Sequence, residues 1–385
     1  MGMTSRERIR TTLNHKEPDR IPVDLGSTIV TSICKGAYIE LMDKLGFDID
    51  EKSIEMMDIV QQLPVLDQRL LDWANVDAVP LTTNGPSDYE LEVKEEGEYY
   101  TFIDEWGAKL YRPKDGYYFD YREFPIQESS LAALEKMDWP DPDDPGRMKG
   151  VKKEAERLYN ETDYAIVGSP LFGGGIFEHP ARVRGMEEFL MSTVSNKKFA
   201  EAIMEKFTQI YIKATENFLK EVGEYIDVFA YWDDVGMQNG PMIRPNFYRK
   251  YVKPRQKRLF EVIKKHSDAK IFLHSCGASS QFIPDFIDIG VDILNPIQVS
   301  AKGMDTKKLK KEYGQDITFW GGGVDTQNVL PFGSREDVSE EVKRRINELA
   351  AGGGFVFAAV HNIQNMVPAE NIIEMFDTLK QNWVY

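Results

Sequence analysis

The chain has 385 residues, 42% of them hydrophobic and 29% charged, with a formal net charge of −16 at pH 7. That acidity excludes nucleic acid as a partner, because no net basic field draws phosphates in. Two cysteines cannot form a disulfide framework, and no apolar run nears the length of about 18 residues that spans a membrane. The expectation is a soluble cytoplasmic protein, long enough to bury a large core.

In chain order, the polar start carries Thr4-x-x-Glu7, a capping box that predicts a helix start and not a signal peptide. Short apolar or β-branched runs then recur as candidate strands: Ile21–Leu25, Val76–Leu81, Tyr164–Gly168, Ile226–Tyr231, Lys270–His274, Asp292–Asn295, Ile317–Trp320 and Phe355–Ala359. Amphipathic stretches such as Phe199–Val222, Arg244–His266, Ser280–Ile289 and Glu336–Ala351 lie between them. Alternating strand and helix is the signature of parallel βαβ units, and eight strands in a chain of this size predict an α/β fold, a (β/α)8 TIM barrel. The doubly wound open sheet is the alternative. Residues 88–147 break the rhythm with Tyr99-Tyr100-Thr101-Phe102, Trp106, Tyr111 and a loop rich in aspartate and proline. They are read as a β-hairpin insertion covering one rim of a single barrel domain spanning residues 1–385.

A barrel places its chemistry at the carboxyl ends of the strands. After the fourth candidate strand stand Asp233 and Asp234, two carboxylates suited to proton transfer or to a cation, and then Gln238. The fifth ends in His274-Ser275-Cys276-Gly277. Side chains two apart on an extended segment point the same way, so imidazole and thiolate can meet on one soft metal. The sixth strand is followed by Asn295 and Gln298, amides able to orient a polar substrate, and the eighth by His361. His179, in the run after the third strand, is a further candidate for the pocket wall. Barrel closure would bring His274, Cys276 and His361 together as three ligands with a fourth position open, the pattern of catalytic zinc.

Four segments carry a family resemblance. They are Asn14-His15-Lys16-Glu17-Pro18-Asp19-Arg20-Ile21-Pro22-Val23-Asp24, then Asp233-Asp234-x-Gly236-x-Gln238 with Lys253-Pro254-Arg255, then His274-Ser275-Cys276-Gly277, and last Val367-Pro368-Ala369-Glu370-Asn371. In this order, nearly end to end, the chain resembles the uroporphyrinogen decarboxylase superfamily, which implies a (β/α)8 barrel. The decarboxylases proper need no metal and grip their polyanionic tetrapyrrole with an arginine-rich amino-terminal run. Here Leu25-Gly26-Ser27-Thr28 stands instead, without charge. The resemblance is closer to the corrinoid-linked methyltransferases, whose zinc site is His-x-Cys followed late by a second cysteine. His274 and Cys276 match, and His361 occupies the late position. This branch implies Zn2+ as a cofactor and cobalamin on a separate corrinoid carrier protein. The methyl group would pass between that cobalt and a small methylated substrate, such as a methyl ether, or a thiol. Asp233 or Asp234 would orient ligands or help protonate the product. The alternative is a metal-independent decarboxylase using Asp233 or Asp234 to stabilise a protonated ring.

Overall fold

Thr4 caps the first helix, Ser5–Leu13, as its capping box with Glu7 predicts. The computed structural model describes residues 2–169 and 174–385. Among these, seven of the eight candidate strands are present as Ala78–Thr82, Ala165–Ser169, Val228–Trp232, Lys270–His274, Ile293–Asn295, Thr318–Trp320 and Phe355–Val356. They form one parallel sheet in chain order. The eighth stave, Ile21–Leu25, is reduced to a single bridge between Val23 and Phe357. It still closes the ring. Phe357 N donates to Pro22 O and Asp24 N to Phe357 O on one side, and Asp77 N donates to Val23 O on the other, each at 2.8 Å.

Strand alternation sorts the side chains. Ala165, Val167, Val228, Ala230, Trp232, Phe272, Ile293, Trp320 and Val356 face inward and fill the barrel, with Ile9 and Leu13 of the first helix packed against them. Their neighbours, among them Ile166, Phe229, Tyr231, Ile271, Leu273 and Phe319, join the helices in the larger outer core. The 26-residue helix Lys197–Val222 shows the matching stripe, burying Phe199, Ile203, Phe207, Ile210, Ala214 and Phe218. No helix among the described residues is long and apolar enough to cross a membrane.

Charge fastens the weak first stave. Asp77 is fully buried and accepts from Arg8 at 2.6 Å, Arg20 at 2.7 Å and Val23 N at 2.8 Å. Both oxygens are engaged, which is what a buried carboxylate requires.

The insertion is larger than the hairpin expected. Lys94–Glu96, Tyr99–Ile103, Lys109–Pro113 and Asp120–Glu123 form a four-stranded antiparallel meander. It has a small core of its own in Phe102, Ala108, Leu110 and Phe119. Trp106, on its central turn, reaches the main core.

Candidate functional site

His274 lies two residues after Phe272 on the same strand, so it faces into the barrel one layer higher. The sheet register sets it opposite Trp232 on one side and Asn295 on the other. Asn295 Nδ2 donates to Trp320 O at 2.8 Å, which turns its Oδ1 to His274 Nδ1, 2.5 Å away. The network therefore assigns the proton to Nδ1 and leaves the Nε2 lone pair free. That nitrogen is 3.3 Å from Cys276 Sγ. His361 follows the last strand, its ring centroid 5.4 Å from that of His274. The donor atoms of His274, Cys276 and His361 all lie within 4.8 Å of one another.

Nitrogen and sulfur ligands of one tetrahedral zinc are separated by about 3.6 Å, given the usual bond lengths. The His274–Cys276 pair is close to that spacing, and His361 stands somewhat wider. Burial pushes the His274 pKa down to about 4, and burial together with His274 pushes His361 down to about 3. Both imidazoles are thus neutral at pH 7, as metal ligation requires. Burial, reinforced by the charges of Asp234 and Glu178, raises the Cys276 thiol well above its ordinary range. A bound cation reverses that preference and draws the thiolate form. The donor set fits a soft divalent ion.

Two sequence motifs interlock to hold this arrangement. Cys276 N donates to Asp234 Oδ1 at 2.7 Å, Asp233 N to His274 O at 2.9 Å, and Val235 N to Ser275 Oγ at 3.1 Å. A Cβ on Gly236 would sit 2.5 Å from Cys276 O, and one on Gly277, at φ +81°, would sit 2.6 Å from Gly236 C. Only glycine allows the two turns to meet back to back.

The two aspartates separate. Asp233 is fully buried, where its carboxylate accepts from Phe177 N, Glu178 N, Tyr231 Oη and Gln256 Nε2. It braces the segment that carries Glu178. Asp234 lines the cavity, and its carboxylate also stands 3.9 Å from His274 Nε2. Burial pushes the Asp234 pKa up, with the charge of Glu178 adding to it.

Among the expected binding residues, Asn295 orients His274. Gln298 and Gln238 instead bond each other and loop backbone, Gly277 N and Ser300 O respectively. His179 is buried in an aromatic cluster, stacked on Phe207 and bonded through Nδ1 to Tyr211 Oη at 2.8 Å. Gly173, in the run that introduces it, lies outside the described residues.

A cavity of about 470 Å³ opens beside the triad at the carboxyl ends of the strands. His274, His361, Trp232 and Asp234 form its barrel side, and the meander contributes Phe102, Asp104, Glu105, Trp106 and Tyr121. Asp58, Glu178 and Arg182 complete a charged wall. Sequence reasoning missed these last three and the meander's carboxylates. The i, i+4 spacing of Glu178 and Arg182, which form an ion pair at 2.5 Å, is the one signal that pointed there.

If Asn295 sets the ring, Asn295→Leu is expected to weaken zinc binding about 10- to 100-fold, the usual effect of removing a partner of a metal-bound histidine. Competition against a chromophoric chelator measures it, and unchanged affinity would rule the orienting role out.

A parallel barrel with a polar cavity at the carboxyl ends of its strands is the architecture of the barrel enzymes. The family model for uroporphyrinogen decarboxylase (URO-D) matches residues 115–382, and the chain belongs to that family. It is 24% identical over 277 residues to a uroporphyrinogen decarboxylase of Trichlorobacter lovleyi, covering 68% of this chain and 74% of the relative. A uroporphyrinogen decarboxylase of Geotalea uraniireducens is 25% identical over 267 residues, covering 66% and 70% respectively. Among solved structures, a methyltransferase from Methanosarcina mazei superposes with a TM-score of 0.66 at 19% identity, covering 98% of this chain and 99% of that one. The likeness in structure confirms the barrel.

Proposed function

We propose that this protein is a zinc-dependent, corrinoid-linked methyltransferase, moving a methyl group between a small methylated substrate, or a thiol, and a cobalamin on a separate carrier protein. The convergence of His274, Cys276 and His361 beside an open cavity carries the reading. The end-to-end likeness in structure to a methyltransferase supports it. Zinc in this donor set supplies a Lewis acid for the heteroatom that bears the methyl group. His274 and Cys276 are fixed by sheet register and interlocked turns, so a metal held there would be positioned before substrate arrives. Asp234, whose carboxyl lines the cavity and accepts from Cys276 N, would help orient the metal ligands. Asp233 acts through others, positioning Asp234 and Glu178. The meander walls the cavity. A cytoplasmic setting, shared with the carrier, suits the reaction.

The test is zinc content by elemental analysis, coupled to methylation of reduced free cobalamin by a panel of methyl ethers and thioethers, followed by visible absorbance. About one zinc per chain and zinc-dependent methylation are expected. A protein that takes up no zinc on reconstitution would overturn the mechanism.

The relatives' names favour a second reading, a metal-independent decarboxylase. The cavity opposes uroporphyrinogen as its substrate. Among the described lining residues the only cation is Arg182, and Glu178 already pairs with it, so an octacarboxylate would meet like charge.

A further inference from the structure

The outer wall of the cavity is built on the meander, which carries Asp104 and Tyr121. The segment beside Asp58 belongs with it: Phe119 N donates to Val60 O at 2.9 Å, and Ile59 and Val60 pack on the meander's core. A core that small leaves the pose of the wall to its joints with the barrel.

One joint is apolar. The Trp106 ring lies 4.3 Å from that of His179 and 5.0 Å from that of Phe207, centroid to centroid. A second is the ion pair of Arg147 with Glu105 at 2.6 Å. The third is Arg182. It stands on the barrel side, in the short helix His179–Arg184, whose Ala181 and Val183 are buried in the main core. Its Nη2 donates to Glu178 Oε1 at 2.5 Å, and its guanidinium carbon lies 5.7 Å from the centre of the Tyr121 ring. Glu178 N in turn donates to Asp233, and Asp233 N to His274 O. A run of contacts thus leads from the meander through Arg182 to the strand that carries His274.

Charge adds to the geometry. Arg182 is the only cation among the described lining residues, and it shares the cavity with Glu178 of the barrel side and with Asp58 and Asp104 of the wall. Burial raises the carboxyls of Asp58 and Asp104, the latter to about 6, and the Arg182 charge works against that rise in both. Without it, carboxylates of barrel and wall would confront each other with no counter-charge between them.

We propose that Arg182 is a positioning residue that holds the outer wall of the cavity to the barrel, bridging Glu178 on one side to Asp58, Asp104 and the Tyr121 ring on the other. The room beside His274 and His361 then depends on this one side chain. The inference concerns the wall alone; only its bearing on methyl transfer rests on the reading above.

Hydrogen exchange of the full-length protein, followed peptide by peptide, tests it. Arg182→Met is expected to speed exchange in Tyr99–Ile103 and Lys109–Pro113 about tenfold or more, and to leave the barrel strand Lys270–His274 unchanged. Arg182→Lys keeps the charge without the planar fork and is expected to retain most of the protection. Asp104→Asn preserves an acceptor for Trp106 N and Ala108 N. Added to Arg182→Met, it removes one of the opposed charges and is expected to restore part of the protection, a rescue that packing alone does not give. An unchanged meander in Arg182→Met would overturn the proposal, and so would faster exchange spread equally over meander and barrel. Should the methionine variant not fold, folding regained on adding Asp104→Asn supports the bridge, and a double variant that is equally unfolded overturns it. An Arg182-dependent wall in a protein that takes up no zinc would leave this inference standing and sink the methyltransferase reading. Zinc uptake with a wall indifferent to Arg182 would do the reverse.

Discussion

Zinc loading of the site is expected to release about one proton per ion near pH 7, and apparent affinity is expected to rise about tenfold per pH unit in that region. The sign follows from the three ligands. His274 and His361, with pKa values held near 4 and 3 by burial, have no proton to lose at pH 7. Cys276, raised well above its ordinary range, is protonated until a metal arrives. Metal binding therefore removes the thiol proton, and rising pH favours the bound state. Calorimetry in buffers of different ionisation enthalpy counts the protons. Cys276→Ser is expected to abolish the release and weaken zinc by at least about 100-fold, beyond the usual effect of losing a partner one shell out. No proton released by the unmodified protein would show that the thiol is not a ligand. Two would mean that a histidine starts charged.

Asp233→Asn is expected to destabilise the fold by about 2–4 kcal/mol. Burial pushes the Asp233 pKa up to about 7, which alone suggests that an amide could substitute for a protonated acid. The geometry argues otherwise. Its two oxygens receive two backbone N–H groups, the Tyr231 hydroxyl and the Gln256 amide. An asparagine NH2 would face donors and leave some of them unpaired in the interior. Urea unfolding at pH 8 reads the loss directly. An unchanged midpoint would mean that a proton already sits on Asp233 and that one of these groups accepts it.

The barrel was legible because its strands are short apolar runs separated by amphipathic helices, and seven of the eight lie where alternation puts them. Ile21–Leu25 reads as a strand by composition, yet Pro22 has no N–H to give. Asp24 turns its carboxyl to Trp320 Nε1 at 2.8 Å and to Ser27 N at 3.0 Å, so little ladder forms. The meander was half visible. Tyr99–Phe102 announces a strand, but the edge segments Lys94–Glu96 and Asp120–Glu123 are polar and mostly exposed, with no buried face to imprint an alternation. His274, Cys276 and His361 were legible from strand-end position, and the structure draws them together. The separate fates of Asp233 and Asp234 were not, because adjacent residues on extended chain point oppositely and only the packed surroundings show which way is inward. Asp58 and Asp104 are two of 63 acidic residues, and nothing local distinguishes them.

The meander brings its own apolar centre, Phe102, Ala108, Leu110 and Phe119, and donates one wall of the cavity. His274, Cys276 and His361 are held from the barrel on the opposite side. A lineage can therefore rewrite what the pocket admits by editing a graft of some thirty residues, while the histidine–cysteine–histidine geometry is inherited intact. Recognition and reactivity are in this way written on separate pages of one chain.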